Sequence, residues 1–183
     1  MSDFAARVDS FLGEYFAFHP LTATTAGMHA HDAEWPAMTA AGRAARLDFY
    51  DRWTRQLEGL DVAGLSIDDR VDRDLLLGEL AAYRFGETEL REDTWSPLEW
   101  VYMLGDGLFA LIAREFAPLA ERLASVAGRL EGIPAVLDAA RSLLGSGERP
   151  VARLHREGDR PVGRHRGPRR RRAGRGRAGR GGR

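Results

Sequence analysis

Apolar residues recur at three- and four-residue spacing through most of the first 148 positions, and nowhere in strict alternation. That period marks amphipathic helices rather than half-buried strands. The clearest stretch is Leu65 to Phe85. Ile67, Val71, Leu75, Leu76, Leu80 and Tyr83 share its apolar stripe, and Asp69, Arg73 and Arg84 lie on the other face. Ser66 is placed to cap its start, and Asp68, Asp69 and Asp72 sit where the helix dipole favours negative charge. The pattern extends this helix to about Arg91.

The same reading divides the rest of the chain. Asp3 to Phe18 is predicted helical, with Phe4, Val8, Phe11, Leu12 and Tyr15 on one face. His19-Pro20 ends it, because a residue before proline avoids the helical region. Leu21 to Gly27 is a short helical turn closed by glycine, and Met28 to Pro36 reads as a loop. Thr39 caps a helix to about Leu60, whose stripe is Leu47, Tyr50, Trp53, Leu57 and Leu60. Glu92 to Trp95 breaks the pattern. Ser96-Pro97-Leu98-Glu99 then reads as a capping box with proline at the first helical position, opening a helix weakened by Gly105 and Gly107. A helix from Ala117-Pro118, with Leu119, Leu123, Val126 and Leu130 as its stripe, is expected to stop at Gly132. A last one runs from Pro134 to Leu144. The expected fold is all-α, an irregular bundle of about six helices with short connections.

Charge divides the chain again. The formal net charge is zero, but residues 1–148 hold 13 Arg against 25 acids and residues 149–183 hold 14 Arg against 2. There is no Lys, no Asn and no Cys, so disulfides and thiolate chemistry are excluded and GC-rich coding DNA is implied. No basic, apolar leader opens the sequence and no run approaches the roughly 20 apolar residues of a membrane span. A soluble cytoplasmic protein is the expectation.

From Gly163 the chain is Gly, Arg, Pro and Ala with one His, a composition that cannot build a core. Residues 149–183 are expected to be a disordered basic tail. Clustered Arg would neutralise nucleic-acid phosphates, but no aromatic residue is interleaved to stack on bases. The preferred reading is GC-rich DNA translated out of frame, with the native frame lost near His155. A shifted frame there permits the amphipathic pattern to continue.

Candidate chemistry in the helical part is sparse. His29, His31 and Asp32 carry metal-ligating groups in four residues, but in a loop, without helical spacing and without a completing carboxylate–His motif. Asp68, Asp69, Asp72 and Asp74 lack the glycine-bearing loop of a calcium site and suit a helix start and a solvated face. Ser10, Ser66, Ser96, Ser125, Ser142 and Ser146 include no nucleophile elbow, and Gly105-Asp106-Gly107 is not a phosphate loop. Trp35, Trp53, Trp95 and Trp100 read as core or interface residues, and His19 as a helix-end residue. No catalytic, cofactor-binding or metal-binding residue is assigned.

Several of these residues fall in a familiar order. Phe11 to Phe16 precede His19-Pro20, Ala23-Thr24, Gly27, His29 and Asp32. Leu65-Ser66, Asp68, Asp72 and Leu75-Leu76 follow, then Arg129-Leu130, Ile133-Pro134, Leu137 and Leu143. Over about residues 4–155 the chain resembles the N-terminal region of bacterial domain-of-unknown-function family 885. The resemblance implies a long, mainly helical, zinc-peptidase-like protein acting on peptides or related amide or ester bonds. Its zinc would sit on a downstream His-Glu motif beyond this chain. Thr24 and Asp72 are then expected to cap or bridge helices, and Gly27 to permit a tight turn.

The sequence is accordingly read as the helical N-terminal part of a larger domain (1–148) plus the tail (149–183), a truncated scaffold inactive by itself. No cofactor is expected in this chain. Its expected partner is the missing C-terminal part of the same protein, and the larger protein is expected to take a peptide-like substrate. The alternative is a stand-alone helical binding module with an Arg-rich nucleic-acid-binding tail. A small enzyme using His29, His31 and Asp32 ranks third.

Overall fold

The computed structural model describes residues 3–146. The basic tail, the boundary expected near residue 148 and the frame loss expected near His155 lie outside the described residues. The described chain is all-α, without strands. Its helices are α1 (Asp3–Phe18), α2 (Pro20–Ala26), α3 (Ala40–Glu58), α4 (Ile67–Phe85), the single turn α5 (Glu92–Trp95), α6 (Pro97–Ala113) and α7 (Leu119–Leu143). None of the described helices is long and apolar enough to cross a membrane.

Two apolar centres organise the bundle. Phe4, Phe11 and Tyr15 of α1 meet Phe49, Tyr50, Trp53 and Leu57 of α3 and Leu80 of α4. The second centre is Trp100 of α6 with Val136 and Ala140 of α7, joined by Trp35 and Met38 from the segment before α3. The capping residues behave as their chemistry dictates: Thr39 accepts from Gly42 N and Ser66 from Asp69 N, each with its ψ near 165°. Gly27 takes a left-handed φ of 86°, which closes α2 as expected.

Three expectations fail in instructive ways. Ser96 caps nothing with its side chain; it also ends α5, where its N–H bonds Glu92 O, and its ψ is 102°. Gly132 does not stop a helix, and Pro134 does not open one, because α7 runs unbroken past both. Proline there removes one backbone bond, and the Trp35 indole N–H donates to the adjacent Arg129 carbonyl at 2.7 Å. A Cβ on Gly132 would lie 2.6 Å from Trp35 Cδ1 and one on Gly107 2.7 Å from Trp35 Cζ3. These glycines form a cradle for a tryptophan about a hundred residues away in sequence from one of them. Finally, the α4 stripe divides. Leu80 is buried and Leu76 and Tyr83 pack on the first core, but Ile67, Val71 and Leu75 stay 77%, 53% and 62% exposed.

Candidate functional site

A cavity of about 360 Å³ lies where the start of α2, α3, the end of α4 and the start of α6 converge. His19 lines it from the α1–α2 junction. Its ring sits 4.4 Å from that of Tyr15 and 5.5 Å from that of Tyr83, and Nε2 is hydrogen-bonded to Tyr50 Oη at 3.0 Å. The Tyr15 O–H donates to Tyr83 Oη at 2.8 Å. Burial pushes the imidazole down to about 4, Arg46 adds to the effect and Glu87 opposes it. Burial also raises the Tyr50 phenol, with the Glu87 charge next, and the Tyr15 phenol, with its bond to Tyr83 next.

The opposite wall depends on an unusual backbone. After Phe85 the helix widens to i+5 spacing over Gly86–Leu90, and Arg91 N–H bonds Gly86 O at 2.9 Å. Arg91 then takes a φ of 49°, the one positive value at a non-glycine residue among the described residues. That reversal starts α5 and brings Glu92 and Asp93 back to the cavity, where Glu87 and Glu99 also stand. Widened turns and left-handed non-glycine residues concentrate at functional sites. Arg46, only 5% exposed, pairs with Glu87 and donates to Ala37 O at 2.7 Å; Arg43 reaches both Glu87 and Asp93. Glu92 and Glu99 have no ion-pair partner among the described residues. Partial burial, then the nearby Glu92 and Asp93, raise the Glu99 carboxyl.

A second polar cluster is buried between α2 and α7. Arg129 is fully buried; its guanidinium donates to Gly107 O and, at 2.6 Å, to Thr24 Oγ1. Thr24 lies 2.7 Å from Asp32 Oδ1, and the other Asp32 oxygen holds His29 Nδ1 at 2.9 Å. His29 in turn stacks flat on Phe116 with centroids 3.8 Å apart. The bridging role expected of Thr24 is thus filled, while Asp72 stands exposed on α4.

The metal-like trio of the sequence is used up in this way. His29 pairs with Asp32, but His31 turns to Glu34 at 3.1 Å. Among the described residues no three His, Asp or Glu converge as a metal site, so the residues present do not fit zinc. Asp69 N–H is capped by Ser66, Asp74 pairs with Arg73, and Ser10 and Ser125 bond carbonyls one turn back. Gly105-Asp106-Gly107 lies inside α6, and Trp53 and Trp100 are core residues. His19 is more than a helix-end residue, and Tyr50, Tyr83, Arg46, Glu87, Glu92, Asp93 and Glu99 were not singled out for a site. One sequence signal pointed there. Arg46 precedes Tyr50 by one turn, which puts a charge on the buried side of α3.

Comparison with known proteins gives a family model, described as "Bacterial protein of unknown function (DUF885)", that matches residues 20–158. No curated protein matches the chain. Among solved structures, the chain is similar to one from Shewanella oneidensis, described as "a putative lipoprotein of unknown function". The two superpose with a TM-score of 0.72 at 27% identity, over 86% of this chain and 29% of that one. The chain therefore spans less than a third of that protein's length.

Proposed function

The chain belongs to the DUF885 family of bacterial proteins of unknown function, and from that membership we propose that its helical domain is the N-terminal scaffold of a larger zinc-dependent, peptidase-like hydrolase. By itself the domain does no chemistry. The observation that carries this role is a set of large apolar side chains on α6 and α7 that no described residue covers. On α6, Leu98, Val101, Tyr102, Phe109 and Ile112 are each more than half exposed. On α7, Leu119, Leu123, Leu130 and Leu137 are 38–57% exposed. Side chains of this size leave on the order of 100 Å² each when half covered, so these nine approach the roughly 800 Å² per partner of a standard interface. A monomer's largest apolar patch is typically about 300–600 Å².

The proposed occupant is the remainder of the same protein, in keeping with the 29% of the Shewanella chain that is matched here. Zinc, its general base and the contacts to a peptide-like substrate would come from that remainder, since no metal-ligating trio converges among the described residues. The lipoprotein description of the Shewanella protein implies a different compartment from the cytoplasm expected from sequence, and cell fractionation of a full-length relative decides between them.

The test is an assay of the purified chain, with and without zinc, on a peptide mixture, alongside metal analysis. No turnover and no stoichiometric zinc are expected. Zinc-dependent hydrolysis by this chain alone would overturn the proposal. Co-expression with the downstream region of a family member should give a stable complex, weakened by Leu123→Asp and Leu130→Asp.

A further inference from the structure

We propose that the cavity between His19, Tyr50, Tyr83 and Glu99 is a binding site for a small organic ammonium carrying an apolar or aromatic body. Its volume of about 360 Å³ lies within the usual range of ligand pockets. Pro20, Leu21, Met38, Leu90 and Met103 line it with apolar surface, suited to the body of such a molecule. Tyr50 and Tyr83 add ring faces, which attract a cation placed over them.

The charge balance selects the ligand's sign. Four carboxylates face the cavity: Glu87, Glu92, Asp93 and Glu99. Glu87 and Asp93 are neutralised by Arg43 and Arg46 from α3. Glu92 and Glu99 stay without a cation among the described residues, so the spare charge is negative. Two unpaired carboxylates on an open surface would be ordinary. Here they stand at the rim of a cavity that also has apolar and aromatic walls, next to the widened turn Gly86–Leu90 and the left-handed Arg91. The Glu99 carboxyl is raised first by partial burial and then by Glu92 and Asp93, and a cation beside it would offset both effects. His19 is neutral at pH 7 and brings no competing positive charge. A carboxylate ligand would add a third negative charge, and a neutral one would leave the pair unrelieved.

The chemistry fits either a free amine or the amino terminus of a peptide whose first side chain is apolar. It does not depend on the hydrolase reading, and the zinc assay and the binding assay fail separately.

The experiment titrates the full chain by NMR at pH 7 with 2-phenylethylamine, its N-acetyl derivative and 3-phenylpropionate. The amine should bind saturably, with the other two about tenfold weaker or worse, a difference of about 1.4 kcal/mol. Phenylalanyl-alaninamide against its N-acetyl form distinguishes the sources: tighter binding than the free amine marks a peptide terminus, and weaker binding a free amine. Glu99→Gln, at an exposed position, should weaken the amine severalfold, and Ala82→Trp should block the cavity while leaving the helical circular dichroism unchanged. Equal binding of the three probes, or no saturation by the amine up to about 10 mM, would overturn the proposal.

Discussion

Replacing Gly132 by alanine sets two well-known effects against each other, and the structure decides the sign. Alanine in a helix interior is favoured over glycine by about 1 kcal/mol. Where the new Cβ meets open space, that gain should appear in full, and at Gly78 and Gly105 nothing lies within 4 Å. At Gly132 the Cβ would stand 2.6 Å from Trp35 Cδ1 and 3.1 Å from Nε1, well inside the roughly 3.5–4.0 Å of carbon contacts. The ring is not a flexible tip that swings aside. Its N–H is bonded to Arg129 O at 2.7 Å, and its far edge already fills the space over Gly107. Overpacking costs about 1–3 kcal/mol, and losing the indole bond about 1 more. Set against the helical gain, Gly132→Ala should destabilise by about 1–3 kcal/mol. Gly105→Ala should stabilise by up to about 1 kcal/mol. Urea unfolding followed by far-ultraviolet circular dichroism reads both. A Gly132→Ala midpoint at or above wild type would refute the cradle. Trp35→Ala in the same chain should remove the penalty, a coupling that independent sites would not show.

His19 gives the chain a pH dependence of defined sign. Its pKa falls from the ordinary 6.5 to about 4 on folding, so below about pH 6.5 the unfolded chain takes up a proton that the folded one refuses. The contribution is fully present above pH 6.5 and is lost as pH falls toward 4, by about 3 kcal/mol. Unfolding curves at pH 7, 5.5 and 4.5 should show this loss in wild type, and a smaller one in His19→Gln; parallel losses would exclude His19 as the cause. Arg129→Met removes the donors to Gly107 O and Thr24 and leaves Asp32 buried without its nearby cation. A cost of about 3–5 kcal/mol is expected, read by the same unfolding curves, and a loss under 1 kcal/mol would show that the cluster is not structural.

The local elements were legible because local chemistry makes them. Thr39 and Ser66 cap where their hydroxyls predict, Gly27 turns left-handed, and the stripes of α1 and α3 face the core they implied. The continuation of the α4 pattern to about residue 91 matches the widened turn Gly86–Leu90. What failed was tertiary. Gly132 and Pro134 look like a stop and a start when read alone, and only Trp35 reveals why the helix needs a glycine there. Periodicity marked Ile67, Val71 and Leu75 as apolar but does not say what covers them. His19 looked terminal because the three tyrosines around it come from three different helices, and no spacing rule joins positions 15, 50 and 83.

The ties from Trp35 and Thr24 to Arg129 cross 94 and 105 residues, and this gives the domain a chronology. At synthesis rates of about 5–20 residues per second, Thr24 is added to the chain roughly 5–20 s before its arginine. During that interval the tryptophan has no cradle and Asp32 no nearby guanidinium. The first core, built from α1, α3 and α4, is complete much earlier. The nascent chain therefore matures in two acts, and α7, the last described helix to be made, is the one that fastens the segment near the beginning.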